Sequence, residues 1–340
     1  MQFDVTILPD NLNKTGTLAR SVENYGFSGL WTAETAHNPF FPLTHAAAAT
    51  QRIKLGTAIA VAFPRSPMVT AQIAWDLAGQ SNGRFILGLG TQVKAHITKR
   101  FSMPWTPPMP RMREYVQSLR AIWHSFQTGE RLKYEGRDYQ FSLMTPFFNP
   151  GPIEHPDIPI YVAGVGDAMC RMAGEVCDGL HVHPFHTVRY LEEVIIPNIW
   201  QGAERTERTL DDIALSCAIF VVTGRSDEEM RVSAAAAKAQ IAFYASTPSY
   251  APVLELHGWQ ETGAKLSQMA RTGQWSEMWK EISDTMLDEV AVIAPPDDLP
   301  HKVKERYEGL LNRVGYYMPF LPDDESMRHI WDAATRVFDS

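Results

Sequence analysis

The chain is poor in cysteine: Cys170, Cys177 and Cys217 are the only three in 340 residues, an odd number with no C-x-x-C spacing. That excludes a paired disulfide framework and the usual zinc spacing, and it suits a reducing compartment. Basic blocks are missing as well. The formal net charge is -8, with Lys and Arg scattered along the chain, which argues against nucleic acid or an anionic membrane surface as the main partner. No apolar run approaches the ~20 residues that a membrane helix needs, and the opening MQFDVTILPD lacks a basic region followed by an apolar core and a cleavage site. The expectation is a cytoplasmic protein whose partner is a small molecule. Internal repeats and low-complexity segments are absent.

What the chain does have is rhythm. Eight short, near-continuous apolar runs recur at 3–8, 29–33, 53–62, 84–90, 158–164, 178–183, 213–222 and 315–320. Continuous rather than alternating apolarity is the pattern of parallel strands covered on both faces. Helical spacing fills the gaps, at 14–25, 67–79, 111–126, 168–176, 188–205, 227–244 and 299–314, and several of these segments stop at glycine, as at Tyr25-Gly26 and Val314-Gly315. Sustained strand-helix alternation predicts an α/β fold, a closed (β/α)8 TIM barrel, in one domain over 1–340. Two stretches read as insertions. Segment 129–156 joins a small hairpin, YEGRDYQF, to the irregular NPGPIEHPDIP, and segment 247–290 is helical and rich in Trp and Met. A further apolar run, EVAVIA at 289–294, ends in Pro295-Pro296 and is placed outside the barrel.

A parallel barrel carries its site at the C-terminal ends of its strands, so the residues just past each run are the candidates. They are Pro9 and Asp10, Glu34, Thr35 and His37, then 58–63, 90–94, 164–167 and 181–185. Two of these ends are glycine-rich: GRFILGLGTQ, and AGVGDA, which runs straight into a helix. A missing Cβ lets a ligand approach the backbone, and a helix N-terminus offers free N–H groups, so the two loops together suit one phosphate. Two tight turns would read the same way, and Asp167 fits an N-cap or first-turn charge better than an anion's neighbour. Gly88 falls inside its strand, where packing needs the missing side chain, whereas Gly90 ends it and is expected to meet the phosphate. The dinucleotide fingerprint is excluded, because no third glycine follows Gly90 at the required spacing.

In order and spacing, the segments YGFSGLWTAE, RIKLGTAIAVAFPRSPMVTAQ, SNGRFILGLGTQ, RMREYVQSLRAIW and IPIYVAGVGDAMCRMAGEVCDGLHVHPF resemble the bacterial luciferase-like superfamily of flavin- and deazaflavin-dependent oxidoreductases. The resemblance runs along nearly the whole chain, and GLGTQVKAHI and HPF are most similar to the actinobacterial branch that uses coenzyme F420. It implies a barrel with insertions, coenzyme F420 or alternatively FMN at the strand ends, a homodimer, and hydride transfer between the deazaflavin C5 and a small organic substrate. An FMN-dependent monooxygenase and a barrel that binds such a cofactor without catalysis are the rival expectations.

Carried over residue by residue, the resemblance puts the cofactor phosphate on Gly90, Thr91, Gln92 and Val93 and on Ala163, Gly164, Val165 and Gly166. It puts Ala58, Ile59 and Ala60 behind the ring, with a non-proline cis peptide at Ala58-Ile59. The second-strand motif departs from the family: in WTAETAH, Glu34 holds the carboxylate place, but Thr35 stands where histidine is expected and His37 follows two residues later. Glu34 reads equally as a general acid or base and as a structural acceptor. His181 and His183 alternate onto one face. No third ligand has the spacing for a metal, which leaves His183 a ring-side hydrogen bond. Lys94, Lys99, Arg100 and Arg65 are candidates for an anionic cofactor tail. The segments FSMPWTPPMP and GQWSEMWKEI suit a substrate roof or a dimer interface.

Overall fold

The computed structural model describes residues 1–8 and 10–338. Eight parallel strands close on themselves: β1 (Gln2–Ile7), β2 (Gly29–Thr32), β3 (Lys54–Thr57), β5 (Phe85–Gly90), β8 (Ile160–Gly164), β9 (Gly179–Val182), β10 (Ala214–Val222) and β12 (Arg313–Tyr317), with β12 returning to β1. Helices surround this ring, so the expected (β/α)8 TIM barrel is the architecture. Short pairs decorate it. Strand β4 (Ala60–Val61) pairs with β5, the hairpin β6 (Tyr134–Glu135) and β7 (Gln140–Phe141) stands apart, and β11 (Val292–Ile293) pairs with the outer end of β10.

The helices begin where the chain supplies caps. Asn11 accepts the Asn13 N–H to start α1 (Leu12–Asn24), and Ser66 with Pro67 starts α3 (Pro67–Gln80) after α2 (Phe40–Ala49). Helix α4 (Pro108–Thr128) ends on Gly129 at φ 75°, the left-handed conformation that glycine takes without steric cost. Next come α5 (Asp167–Val176), then α6 (Val188–Tyr190) and α7 (Ile196–Glu204), joined without a break by a π-helical turn at 191–195, so the helix expected over 188–205 is present as one run. Helix α8 (Asp227–Ala245) leads to α9 (Ala251–Leu256), α10 (Gln260–Arg271) and α11 (Asp284–Val290), and α12 (Leu299–Tyr307) and α13 (Asp324–Phe338) follow.

Two boundaries differ from expectation. The helix expected over 299–314 stops at Tyr307; Gly309, at φ 82°, turns the chain, and Gly315 lies within β12 rather than capping a helix. The reason is Arg313. A charged residue breaks the apolar run, yet it is buried as the first residue of β12, where Asp4 of β1 accepts its Nε at 2.8 Å and its Nη2 at 2.7 Å. Trp31 adds its indole N–H to the same carboxylate at 2.9 Å. Burying a charge costs less only when every donor is matched, and this cluster does so at the floor of the barrel. A hollow of about 490 Å³, lined in part by Gln2, Tyr161 and Arg313, opens below that floor, at the end away from the strand C-termini. The second difference is two helices where none was expected, α2 and α13; Trp331 from α13 packs edge-on against Phe27 at 5.3 Å.

Candidate functional site

The run expected as one strand over 53–62 is two, β3 and β4, divided by a cis peptide between Ala58 and Ile59, the bond that the resemblance singled out. Ile59 accepts the Glu34 N–H at 3.0 Å, which ties the bulge to the end of β2. The Glu34 carboxylate closes the tie. Its Oε2 accepts the Val61 N–H at 2.7 Å and Arg65 Nη1 at 2.7 Å, and its Oε1 accepts Arg65 Nη2 at 2.9 Å. Arg65 therefore faces inward to Glu34 and stacks on Phe40 at 5.5 Å, rather than waiting at the mouth for an anionic tail. Two parallel N–H···O bonds to a carboxylate are the strong geometry for this pair.

Thr35 and His37 are exposed on the loop that follows. The Thr35 carbonyl accepts an Arg100 N–H, so Arg100 also has a partner inside the chain, while Lys94 and Lys99 stay exposed. Asp10 is exposed, and Pro9 lies outside the described residues.

On the next strand the two glycines separate. A Cβ on Gly88 would lie 1.7 Å from the Thr57 carbonyl oxygen and 2.7 Å from His181 Nε2, so the barrel interior admits no side chain there. Gly90 is also buried, and its Cβ would lie 2.6 Å from Ile59 Cδ1. Within the chain, the neighbour that needs this space is the side chain of the cis bulge. Past it, Thr91 and Gln92 are half-buried and Val93 exposed. Gln92 takes φ 57°, and its side-chain oxygen accepts the Val93 N–H at 2.9 Å.

Strand β8 lies beside β5, with Leu89 opposite Val162, so the loops that follow the two strands are neighbours. Ala163, Gly164 and Val165 are half-buried, and Gly166 is the exposed N-cap of α5. No side chain caps this helix, and a Cβ on Gly166 would meet nothing within 4 Å. Gly164 differs, because a Cβ there would lie 2.4 Å from Met169 Cγ. Asp167 does not turn back on the first-turn N–H groups; its carboxylate is largely exposed, 4.0 Å from Arg171 one turn on. The end of α5 accordingly presents open backbone donors and open space, the donor set that suits a phosphate.

The opposite side of the mouth is aromatic. His181 stands inside the barrel, 5.0 Å from the Trp31 ring, and burial pushes its pKa down to about 4. His183, one residue beyond β9, is turned to different partners. Its Nδ1 accepts the Phe185 N–H at 3.1 Å, which leaves the proton on Nε2, and Nε2 lies 2.9 Å from the Tyr250 hydroxyl. Burial, with His186 adding to it, pushes the pKa of His183 down to about 3, so the ring is neutral. Both nitrogens have partners within the chain. The Tyr250 ring stacks on His183 at 4.3 Å, and the Tyr244 ring meets the imidazole edge-on at 4.6 Å. Tyr244 and Tyr317 share a hydroxyl hydrogen bond of 3.0 Å. None of these tyrosines was a sequence candidate; Tyr250 lies 67 residues from His183 within an insertion, and only Tyr317, at the end of the last strand, carried a positional signal.

The two aromatic segments divide. Met103 and Trp105 pack partly buried against the core, and Met278 is buried, while Trp275 and Trp279 remain exposed.

Residues 1–313 match the luciferase-like monooxygenase family. This chain belongs to that family. An uncharacterized protein of Mycobacterium tuberculosis is 46% identical over 307 residues, 90% of each chain. The 5,10-methylenetetrahydromethanopterin reductase of Methanopyrus kandleri is 28% identical over 344 residues, covering 96% of this chain and 95% of the reductase. The solved structure of the coenzyme F420 dependent tetrahydromethanopterin reductase from that organism superimposes with a TM-score of 0.80 at 23% identity, over 98% and 97% of the two chains. The oxygenating constituent of 3,6-diketocamphane monooxygenase from Pseudomonas putida, solved with FMN, gives a TM-score of 0.68 at 16% identity over 99% and 97%. Relatives of this luciferase-like chain thus use F420 or FMN, and they are oxidoreductases.

Proposed function

We propose that this luciferase-like protein is a coenzyme F420-dependent oxidoreductase acting on a small organic substrate. The observation that carries the reading is the uncapped N-terminus of α5, open at Gly166, beside the loop Thr91–Val93. Similarity along 96% of the chain to the Methanopyrus kandleri reductase, together with the fold shared with the coenzyme F420 dependent reductase solved from that organism, supports the deazaflavin over FMN. The phosphate of either cofactor would rest on the backbone of Thr91, Gln92 and Val93 and of Gly164, Val165 and Gly166, and the bulge Ala58–Ala60 would support the ring. When bound, the deazaflavin supplies hydride chemistry at C5.

The chain's own residues supply position and protons. Glu34 and Arg65 brace the bulge, so Glu34 acts here as a structural acceptor. The His183 and Tyr250 pair lines the substrate side, and the insertions 129–156 and 247–290 of the single barrel domain set specificity. The protein works as a cytoplasmic homodimer. Isothermal titration with F420 and FMN tests the reading: micromolar or tighter binding of F420 supports it, and binding of FMN alone favours the monooxygenase alternative.

A further inference from the structure

Hydrogen-bond direction in the aromatic half of the mouth has a chemical consequence. Because Phe185 N–H occupies His183 Nδ1, the neutral imidazole has one hydrogen left, on Nε2, and it points at the Tyr250 oxygen 2.9 Å away. Tyr250 accepts that hydrogen, so its own O–H must be directed elsewhere. The ring stack on His183 fixes the phenol at the end of β9, against Phe185 and Tyr244, and Tyr244 in turn meets the Tyr317 that ends β12. The Tyr244 and Tyr317 pair likewise keeps one hydroxyl hydrogen uncommitted, since one of the two must donate to the other.

We propose that Tyr250 is the proton donor of this site and that the substrate is a neutral carbonyl compound reduced to its alcohol. This rests on the F420 reading. The carbonyl carbon receives hydride, with its two electrons, from the reduced deazaflavin. The C=O π pair moves to oxygen, and that oxygen takes the Tyr250 proton as the phenol becomes phenolate. His183 Nε2–H stays hydrogen-bonded to the phenolate as a positioning residue; it cannot pass its charge on, because the group at Nδ1 is a backbone amide. Water restores the proton to Tyr250, which is half-exposed. Substrate class follows from the lining. Half-buried Tyr244 and Tyr317 offer rings and hydroxyls beside Tyr250, and His183 is held neutral, so the groups on this wall suit an uncharged, hydrogen-bonding substrate. Burial also pushes the Tyr250 phenol up to about 12, which makes it a donor rather than a base at neutral pH.

The test has two readouts. Long-range 1H–15N spectra of the cofactor-free protein at pH 6 are expected to show His183 as the neutral Nε2–H tautomer in the parent and in Tyr250→Phe; an Nδ1–H or doubly protonated His183 overturns the proposal. Stopped-flow oxidation of reduced F420 by acetone, cyclohexanone and benzaldehyde is then followed at pH 7. The parent is expected to react with at least one of them. Tyr250→Phe should lower the saturating rate at least 100-fold, within the range of general acid catalysis, with KM and F420 affinity changed less than threefold. His183→Phe should lower the rate about tenfold, again with little change in KM, as expected of a lost hydrogen bond to a charged group. A Tyr250→Phe rate within threefold of the parent, or a parent that binds reduced F420 and reduces none of the three, overturns the proposal alone. A parent that binds no F420 overturns the reading beneath it, and the same variants are then read with reduced FMN, where an unchanged Tyr250→Phe rate has the same force.

Discussion

Glu34 grips Arg65 through both carboxylate oxygens, at 2.7 and 2.9 Å, while the same carboxylate holds the Val61 N–H beyond the cis bulge. Both side chains are nearly buried, 7% exposed for Glu34 and 15% for Arg65. Replacing Glu34 by Gln keeps the shape but leaves Arg65 without its counter-ion. The expected loss is about 3 kcal/mol of folding stability, the scale of breaking a buried pair, read by urea denaturation. An acid or base role predicts the reverse pattern, unchanged stability with turnover lost.

Three imidazoles, His181 and His186 buried and His183 half-buried, make stability pH-dependent. His181 and His186 are pushed down to about 4 and His183 to about 3, mainly by burial, from an ordinary value of 6.5. Above pH 6.5 neither the folded nor the unfolded chain protonates them, and their contribution is fully present. As the pH falls below 6.5 the unfolded chain binds protons that the folded chain refuses, so stability declines from 6.5 down to about 4 for His181 and His186 and about 3 for His183. Each contributes a slope of about 1.4 kcal/mol per pH unit within that window. Denaturation midpoints between pH 7 and 4.5 should show the decline, and His183→Phe should flatten it by about a third.

Assembly is checked by light scattering. A homodimer should give twice the 38.2 kDa chain mass at micromolar concentration; a single species at the chain mass contradicts it. The exposed pair Phe147 and Phe148, at 89% and 67% exposure, is available to such an interface or to solvent.

Much of the barrel was legible because each buried parallel strand must be apolar on both faces, which leaves a run in the sequence. The bulge at Ala58-Ile59 was legible only through the family resemblance. Arg313 hid the start of β12, since a charge inside a strand is readable only when its partner Asp4, at the far end of the chain, is known. The α13 stripe of Ile330, Trp331 and Ala334 has helical spacing but lies beyond the last strand-helix unit. In the site, strand ends could be named, but pairings could not. Glu34 with Arg65 spans 31 residues and His183 with Tyr250 spans 67, and nothing in local periodicity encodes either. Gly90 shows the same limit: a missing side chain announces a close approach without saying whether ligand or neighbour makes it.

That distinction yields a paired prediction. Gly90→Ala places a methyl 2.6 Å from Ile59 Cδ1, so it should destabilise the fold, by about 1–3 kcal/mol as overpacking does, and weaken cofactor binding only as the bulge shifts. Thr91→Val should leave stability within about 0.5 kcal/mol, as surface changes do, while weakening binding by about 1 kcal/mol, the scale of one hydrogen bond.

The most direct measurement is isothermal titration of F420 into the parent and into Gly166→Val, with FMN titrated in parallel. Gly166 has φ −98° and open space where a side chain would stand, so valine fits the fold and fills only the proposed phosphate seat. The account predicts an unchanged melting temperature, F420 binding by the parent, and at least tenfold weaker binding by Gly166→Val. Equal affinity of the two proteins for F420 would contradict the phosphate seat at α5, and with it the central claim.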